Sequence, residues 1–458
     1  MKKILLFTLL SLTLHSYGQT TSVPDVEFEK HLEANSMGNG VANDGLVLTS
    51  NINTVTELNI TDLDINDLTG IEDFLALEKL DAEFIGFDIP SNLDLSALKN
   101  LTYLNFALNS ISTVNLSENT KLTHVDFSNC EITSINLENN PLITYLNLDY
   151  NFDIQNLSFL ADLPDLVYLN LTGFEISSIN LSNNIKLKEF IGDDLWELTS
   201  LDISSNLDLE KISLSENELT SIDLSNNTKL IELNMELLPA DYSYVRAKLK
   251  NLDLSKNIML EKLELGNNKK LTSLDLSKNI ELNYLDLYDC YTLEGDYDLQ
   301  NHTKLTIVDF GNCNISSLNI KNEQNTKIEY FHSSGNENLT CITVDDVDYS
   351  TSTWANDSLN QGNFNVDSTQ SFSSDCTLSV AKFNQIDFDL HPNPSNNTIN
   401  IKSLATISAI SIYNVFGKEV LKVKNTNNKI NISNLSSGVY IVKVYSDNKT
   451  GITKLIKN

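Results

Sequence analysis

From Val55 onward the chain repeats one spacing of residues: apolar, two polar, apolar, polar, apolar, two more, then asparagine or cysteine. Leu101-Thr-Tyr-Leu-Asn-Phe-Ala-Leu-Asn109, Ile143-Thr-Tyr-Leu-Asn-Leu-Asp-Tyr-Asn151, Leu209-Glu-Lys-Ile-Ser-Leu-Ser-Glu-Asn217 and Leu260-Glu-Lys-Leu-Glu-Leu-Gly-Asn-Asn268 all follow it. Thirteen copies, numbered here coils 1 to 13, start at Val55, Leu77, Leu101, Leu122, Ile143, Leu166, Leu187, Leu209, Leu230, Leu260, Leu282, Leu305 and Ile328. Their spacings run from 21 to 24 residues, except one of 30 between Leu230 and Leu260. A period of this size marks a repeat architecture, in which each unit covers its apolar residues only against the next. The alternation around the fourth position predicts a short strand. The ninth position should turn the chain, its asparagine bonding the backbone of neighbouring coils. Asn109, Asn151, Asn217 and Asn268, with Cys130, Cys290 and Cys313 in the same register, form this expected structural ladder.

A second half-repeat lies eight to eleven residues behind the first, as in 111–119, 219–227 and 271–279. It sets a second asparagine row through Asn119, Asn140, Asn184, Asn206, Asn227, Asn257 and Asn279. The back of each coil is therefore expected to be extended, with no room for a long helix. The ends of such a stack need covers. Pro24 to Leu32 predicts a short amphipathic helix capped by Asp25, with Val26, Phe28 and Leu32 as its apolar positions. Residues 341–376 are expected to cover the other end.

In these motifs the chain resembles the leucine-rich-repeat family over roughly residues 55–340. Its short coils and helical N-terminal cap are similar to internalin-like bacterial members. The resemblance implies a mainly β solenoid used for adhesion or protein recognition.

The third, fifth and seventh positions of each coil should point from the strand to the concave face. Tyr103, His124, Tyr145, Tyr168, Tyr284 and Tyr330 hold third positions and are candidate ligand contacts. Tyrosine offers an apolar body with a polar tip, suited to protein hot spots or to sugars, and adjacent rings on a ladder can equally pack on one another. Carboxylates such as Asp81, Asp126, Asp149, Glu264, Asp286 and Asp309 share the face, which suits a basic protein, a neutral glycan or a cation. Calcium would relieve their repulsion, but no compact DxDxDG loop occurs; a solvated acidic face, with no metal or cofactor, is the expectation. The long coil 9 inserts residues 237–248, and there Tyr242, Tyr244 and Arg246 are the side chains suited to contact a ligand.

Residues 386–458 lose the period. Short alternating segments at 399–401, 410–413, 430–432 and 439–445 predict a small antiparallel β-sandwich. This segment carries a charge of +5 within a chain of −31, so a domain boundary is expected near residue 385. His391-Pro-Asn-Pro-Ser395, Ile412-Tyr-Asn-Val-Phe-Gly-Lys-Glu-Val420, Ile432-Ser-Asn-Leu-Ser-Ser-Gly-Val-Tyr-Ile-Val-Lys-Val444 and Lys454-Leu-Ile-Lys457 follow in order. They look like the type A C-terminal sorting domain of the Bacteroidetes type IX secretion system. The resemblance implies export through that machinery to the cell surface or medium.

At the other end Lys2 and Lys3 precede a largely apolar run from Ile4 to Leu14, then Ser16 and Gly18, which predicts a signal peptide over residues 1–18. Such a run spans about 16 Å as a helix against a bilayer core of roughly 30 Å, so no transmembrane segment is expected in the mature chain. The net charge of −31, with Arg246 the single arginine, argues against nucleic acid as a partner. Cys341 and Cys376 flank the expected closing cap, and export through an oxidising compartment favours a disulfide between them. No CxxC, HExxH, GxSxG, Walker loop or GxGxxG is present, so no enzyme is expected. The organisation expected is a signal peptide (1–18), N-terminal cap (19–54), solenoid (55–340), C-terminal cap and linker (341–385) and sorting domain (386–458). Its expected role is protein–protein recognition or adhesion at the surface, with glycan binding or a non-binding structural spacer as the alternatives.

Overall fold

The computed structural model describes residues 18–86, 92–237, 248–355, 362–376, 388–403, 406–414, 418–424, 429–446 and 449–458. The predicted signal peptide up to residue 17, and Tyr242, Tyr244 and Arg246, lie outside them. The chain divides into two compact units, residues 1–374 and 375–458.

In the first unit the apolar positions of the repeat face inward: Leu101, Leu104 and Phe106 of coil 3 are all fully buried, as are Leu122, Val125 and Phe127 of coil 4. Positions three to five of every coil form a three-residue strand, from Glu57–Asn59 in coil 1 to Tyr330–His332 in coil 13. These pair in parallel and in register, Tyr103 beside His124, His124 beside Tyr145 and Tyr145 beside Tyr168. The thirteen coils and one added strand, Phe364–Asn365, make a 14-stranded sheet. Each strand is short because the eighth position bends the chain. Its N–H donates to the seventh-position carbonyl of the next coil, as from Leu108 to Ser128 and from Asn312 to Ser334, both at 2.8 Å. Among these positions φ is positive from Asp62 (60°) through Leu108 (61°) and Asn267 (62°) to Gly335 (78°).

The coil backs are extended or turn-like, as the second half-repeat requires. Strands Asn92–Asp94, Thr113–Asn115 and Ser134–Asn136 form one back sheet, and Glu294–Asp298, Asn314–Asn319, Cys341–Thr343 and Ser371–Ser373 another. Both asparagine rows bond across coils. Asn151 Nδ2 donates to Phe127 O and Leu148 O at 2.8 Å each, and Asn268 Nδ2 to Met235 O at 2.8 Å. Asn109 bonds in the same manner to Ala82 O of the preceding coil, whereas Asn217 donates to Leu214 O within its own coil. Cysteine substitutes as a single donor: Cys130 Sγ lies 3.1 Å from Phe106 O, Cys290 Sγ 3.2 Å from Leu265 O and Cys313 Sγ 3.2 Å from Leu287 O. Burial pushes the Cys130 and Cys290 thiols up to about 12, and that of Cys313 higher still, which leaves them unreactive.

The helix Val26–Ala34 closes the first end, its N-terminus capped by Asp25, which accepts from Glu27 N at 3.0 Å and Phe28 N at 2.9 Å. Phe28 and Leu32 are buried against the coils, but Val26 is 55% exposed. At 100° per residue Val26 lies opposite Phe28 and Leu32, so one face cannot hold all three. Glu29 takes the vacated inner position, accepting from Asp44 N and Gly45 N. At the other end the helix Val347–Thr353 delivers the fully buried Trp354, which stacks on Phe331 at 4.5 Å and meets Phe364 and Phe372. Cys341 and Cys376 are both disulfide-bonded.

The second unit holds two antiparallel sheets, one of three strands and one of four. Ile399, Ile401, Ile410, Ile412, Ile430, Val442, Val444 and Leu455 form its core. The proline-flanked motif ties to the last strand: Asn393 Nδ2 donates to Lys454 O at 2.7 Å, and Ile456 N to Asn393 Oδ1 at 2.8 Å. Ser395 N adds a bond to Ile456 O at 2.9 Å. Two motifs separated in sequence thus form one structural feature.

Candidate ligand-binding face

Third- and fifth-position side chains leave the long sheet on the side opposite its buried leucines, as the strand period demands. Because coils pair in register, equal positions lie one strand spacing apart, and aromatic rings placed there must meet. Tyr103, His124, Tyr145 and Tyr168 form one continuous stack, with centroids 4.3, 4.0 and 4.3 Å apart and planes within 11° of parallel. Lys79 Nζ caps the first ring, 4.8 Å from the Tyr103 centroid, and Glu189 follows Tyr168 on the next strand. All four rings are half-buried. Burial raises the Tyr145 and Tyr168 phenols and lowers the His124 imidazole, so the stack is neutral at physiological pH.

Tyr284 and Tyr330 do not join this stack. Coils 7 to 10 carry Glu189, Lys211, Glu232 and Lys262 at the third position, an alternating charge row with Lys211 and Glu232 at 2.9 Å. These pairs are about half exposed and contribute little stability. Over them the face sinks into a depression of about 170 Å³ at Ile191, Ser213 and Asn234. Beyond it Lys262 Nζ sits 5.1 Å from the Tyr284 ring, and Tyr330 donates its hydroxyl to Asp309 Oδ2 at 3.1 Å. Here Asp286 is pushed up to about 7, first by burial and then by the carboxylates of Asp309, Glu236 and Glu264. Among the described residues no group of three or more His, Cys, Asp or Glu side chains is placed to hold a metal ion.

Two features escape a reading by residue type. Lys79 belongs to the aromatic site, and its signal in the sequence is its register, one coil before Tyr103. His302 belongs to the back asparagine row: it falls 23 residues after Asn279, is fully buried, and its Nε2 lies 3.1 Å from Leu276 O.

Residues 389–458 match the family model described as a secretion system C-terminal sorting domain. No curated protein matches the chain. Among solved structures the functional domain of InlJ from Listeria monocytogenes is 19% identical, covering 96% of this chain and 99% of that one, with a TM-score of 0.45. An internalin, inlF, from Listeria monocytogenes is 20% identical over 72% of this chain and 93% of its own, with a TM-score of 0.50. A leucine-rich-repeat protein from Leptospira interrogans is 20% identical over 65% and 79%, with a TM-score of 0.46. At such identities the likeness concerns the fold. Among the described residues no helix is long and apolar enough to cross a membrane. Thirteen in-register coils thus give the chain a leucine-rich-repeat solenoid fold similar to that of the internalin structure, followed by a tail that matches a secretion system C-terminal sorting domain.

Proposed function

We propose that the protein is displayed at the cell surface or released, and that it recognises a protein ligand through the front face of coils 2 to 6. The observation that carries this reading is the state of the four stacked rings. A sugar stacks on an exposed ring face. In the stack of Tyr103, His124, Tyr145 and Tyr168 the inner faces are covered by neighbouring rings, and Lys79 covers the outer face of Tyr103. What remains outward is a row of ring edges and phenol hydroxyls held rigid, which suits side chains of a protein surface better than pyranose rings. The same packing weighs against a purely structural spacer only if the outward edges are used, so binding is the decisive measurement.

The test follows thermal unfolding of the full chain against neutral polysaccharides and a panel of extracellular proteins, since a native-state ligand raises the midpoint by mass action. A rise with one protein, lost in Tyr145→Ala/Tyr168→Ala, supports the reading. A rise with a polysaccharide that depends on the same two residues overturns it. Export is tested separately: a chain lacking residues 389–458 should accumulate inside the cell envelope.

A further inference from the structure

The eighth position of twelve coils is held at positive φ by the turn it makes, a conformation that suits glycine, asparagine and aspartate and penalises large side chains. Most coils comply, with Asp62, Asn129, Gly173, Asp194, Asn267, Asp289, Asn312 and Gly335 there. Coil 8 has the buried Glu216 (φ 55°) there, and coils 2, 3 and 5 place Phe84 (φ 51°), Leu108 (φ 61°) and Tyr150 (φ 53°) at it. Each of these three side chains is 42% exposed. Phe152, 46% exposed, joins Tyr150 at 5.9 Å, and both rings lie over Gly173 of the next coil, where an added Cβ would sit 3.1 to 3.2 Å from them. A shallow cavity of about 320 Å³ is lined by Phe84, Leu108, Asn129 and Glu131. Strained backbone carrying exposed apolar side chains is a combination that folding alone does not favour.

The surroundings say what would cover it. Positions seven to eleven of coils 2 to 7 contain eight carboxylates and no lysine or arginine. Asp194, Asp149 and Asp193 are close enough to add to burial in raising the Tyr150 phenol. The ridge also belongs to the coils that carry the aromatic stack. We infer that this eighth-position ridge of Phe84, Leu108, Tyr150 and Phe152 is a second contact row, and that it docks a basic protein surface whose apolar side chains enter between its rings while lysines or arginines meet the carboxylate rim. The inference rests on the reading that these coils bind protein.

The probe is a labelled amphipathic peptide of leucine and lysine, with an all-lysine peptide and a leucine–glutamate peptide as controls, titrated onto the full chain. The leucine–lysine peptide should bind, and the other two at least about tenfold more weakly, because each lacks half of the match. Phe84→Asn/Leu108→Asn should cut that binding at least about tenfold while raising the unfolding midpoint, since asparagine relieves the strain the native residues carry. Asn129→Leu should do the reverse, extending the ridge at a lower midpoint. A midpoint that falls in the double variant assigns the two side chains to the fold and overturns the proposal. Unchanged peptide binding in the double variant overturns it too, and if Tyr145→Ala/Tyr168→Ala abolishes that binding the stack reading still stands. No binding by the parent, or ridge-dependent adsorption to zwitterionic vesicles instead, is equally contrary.

Discussion

Replacing Asn227 with alanine probes what holds the backs of the coils together. Asn227 is fully buried, and its Nδ2 donates to Ile203 O at 3.2 Å and to Asn206 O at 2.9 Å. Its backbone carbonyl in turn receives Asn257 Nδ2 at 2.9 Å. Alanine keeps that last bond, which is made to the main chain, but removes the side-chain donor from two buried carbonyls of the preceding coil, which keep only the backbone amides of Asn206 and Leu209. Each lost bond is worth about 0.5 to 1.5 kcal/mol. Against this, Asn227 Oδ1 has no partner among the described residues, so its removal recovers part of a desolvation penalty. The net loss expected is about 1 to 2 kcal/mol. The control is Asn226→Ala, whose exposed amide makes one 3.3 Å bond to Ser204 O and should be worth less than about 0.5 kcal/mol. Because repeat arrays open locally, urea unfolding of the full chain should be paired with native-state hydrogen exchange. The amides of Asn227 and Leu230, which donate to Leu224 O at 3.1 Å and to Asn227 O at 3.2 Å in the same turn, should lose protection first. Equal costs for the two alanine variants would refute the argument that the buried row, and not leucine packing alone, joins the coils.

Three further outcomes are expected. Burial lowers the pKa of His302, so its neutral form belongs to the fold; stability should fall as pH drops below about 6.5, where the unfolded chain takes up the proton, and His302→Asn should reduce that loss, part of which His124 and His31 share, as thermal midpoints at pH 7 and 5 will register. Asp286, raised to about 7, has the opposite sense: its stability contribution declines as pH rises from about 4 to 7, so Asp286→Asn should stabilise by on the order of 2 kcal/mol at pH 8 and progressively less toward pH 4 in the same scans. Trp354→Ala should cost about 3 to 5 kcal/mol and deprotect coils 12 and 13 in hydrogen exchange, because it uncovers Phe331; unchanged protection there would remove Trp354 from the closing cap.

The sequence by itself determined the register of the solenoid. All thirteen coil starts read from the leucine spacing supply a strand of the long sheet, because a coil buries its apolar positions only against its neighbours and the local pattern is therefore the global one. The two asparagine rows and the cysteines at ninth positions were legible for the same reason. Six aromatic third positions were legible as a face, but not their division into a four-ring stack and two separate tyrosines, which depends on whether the neighbouring coil offers a ring, a charge such as Lys262 or an aliphatic side chain such as Ile307. Val26 lies on the wrong side of its helix for a reason visible in angular spacing, whereas the burial of Glu29 required the backbone amides of Asp44 and Gly45 to arrive from fifteen residues away or more. Only the tertiary structure placed His302 in an asparagine row, and only it revealed that Phe84, Leu108 and Tyr150 occupy a left-handed turn while exposed. Both belong to relations between coils: backbone conformation at the turn, and which carbonyl lies one strand away, are fixed by stacking and not by the residue that happens to stand there.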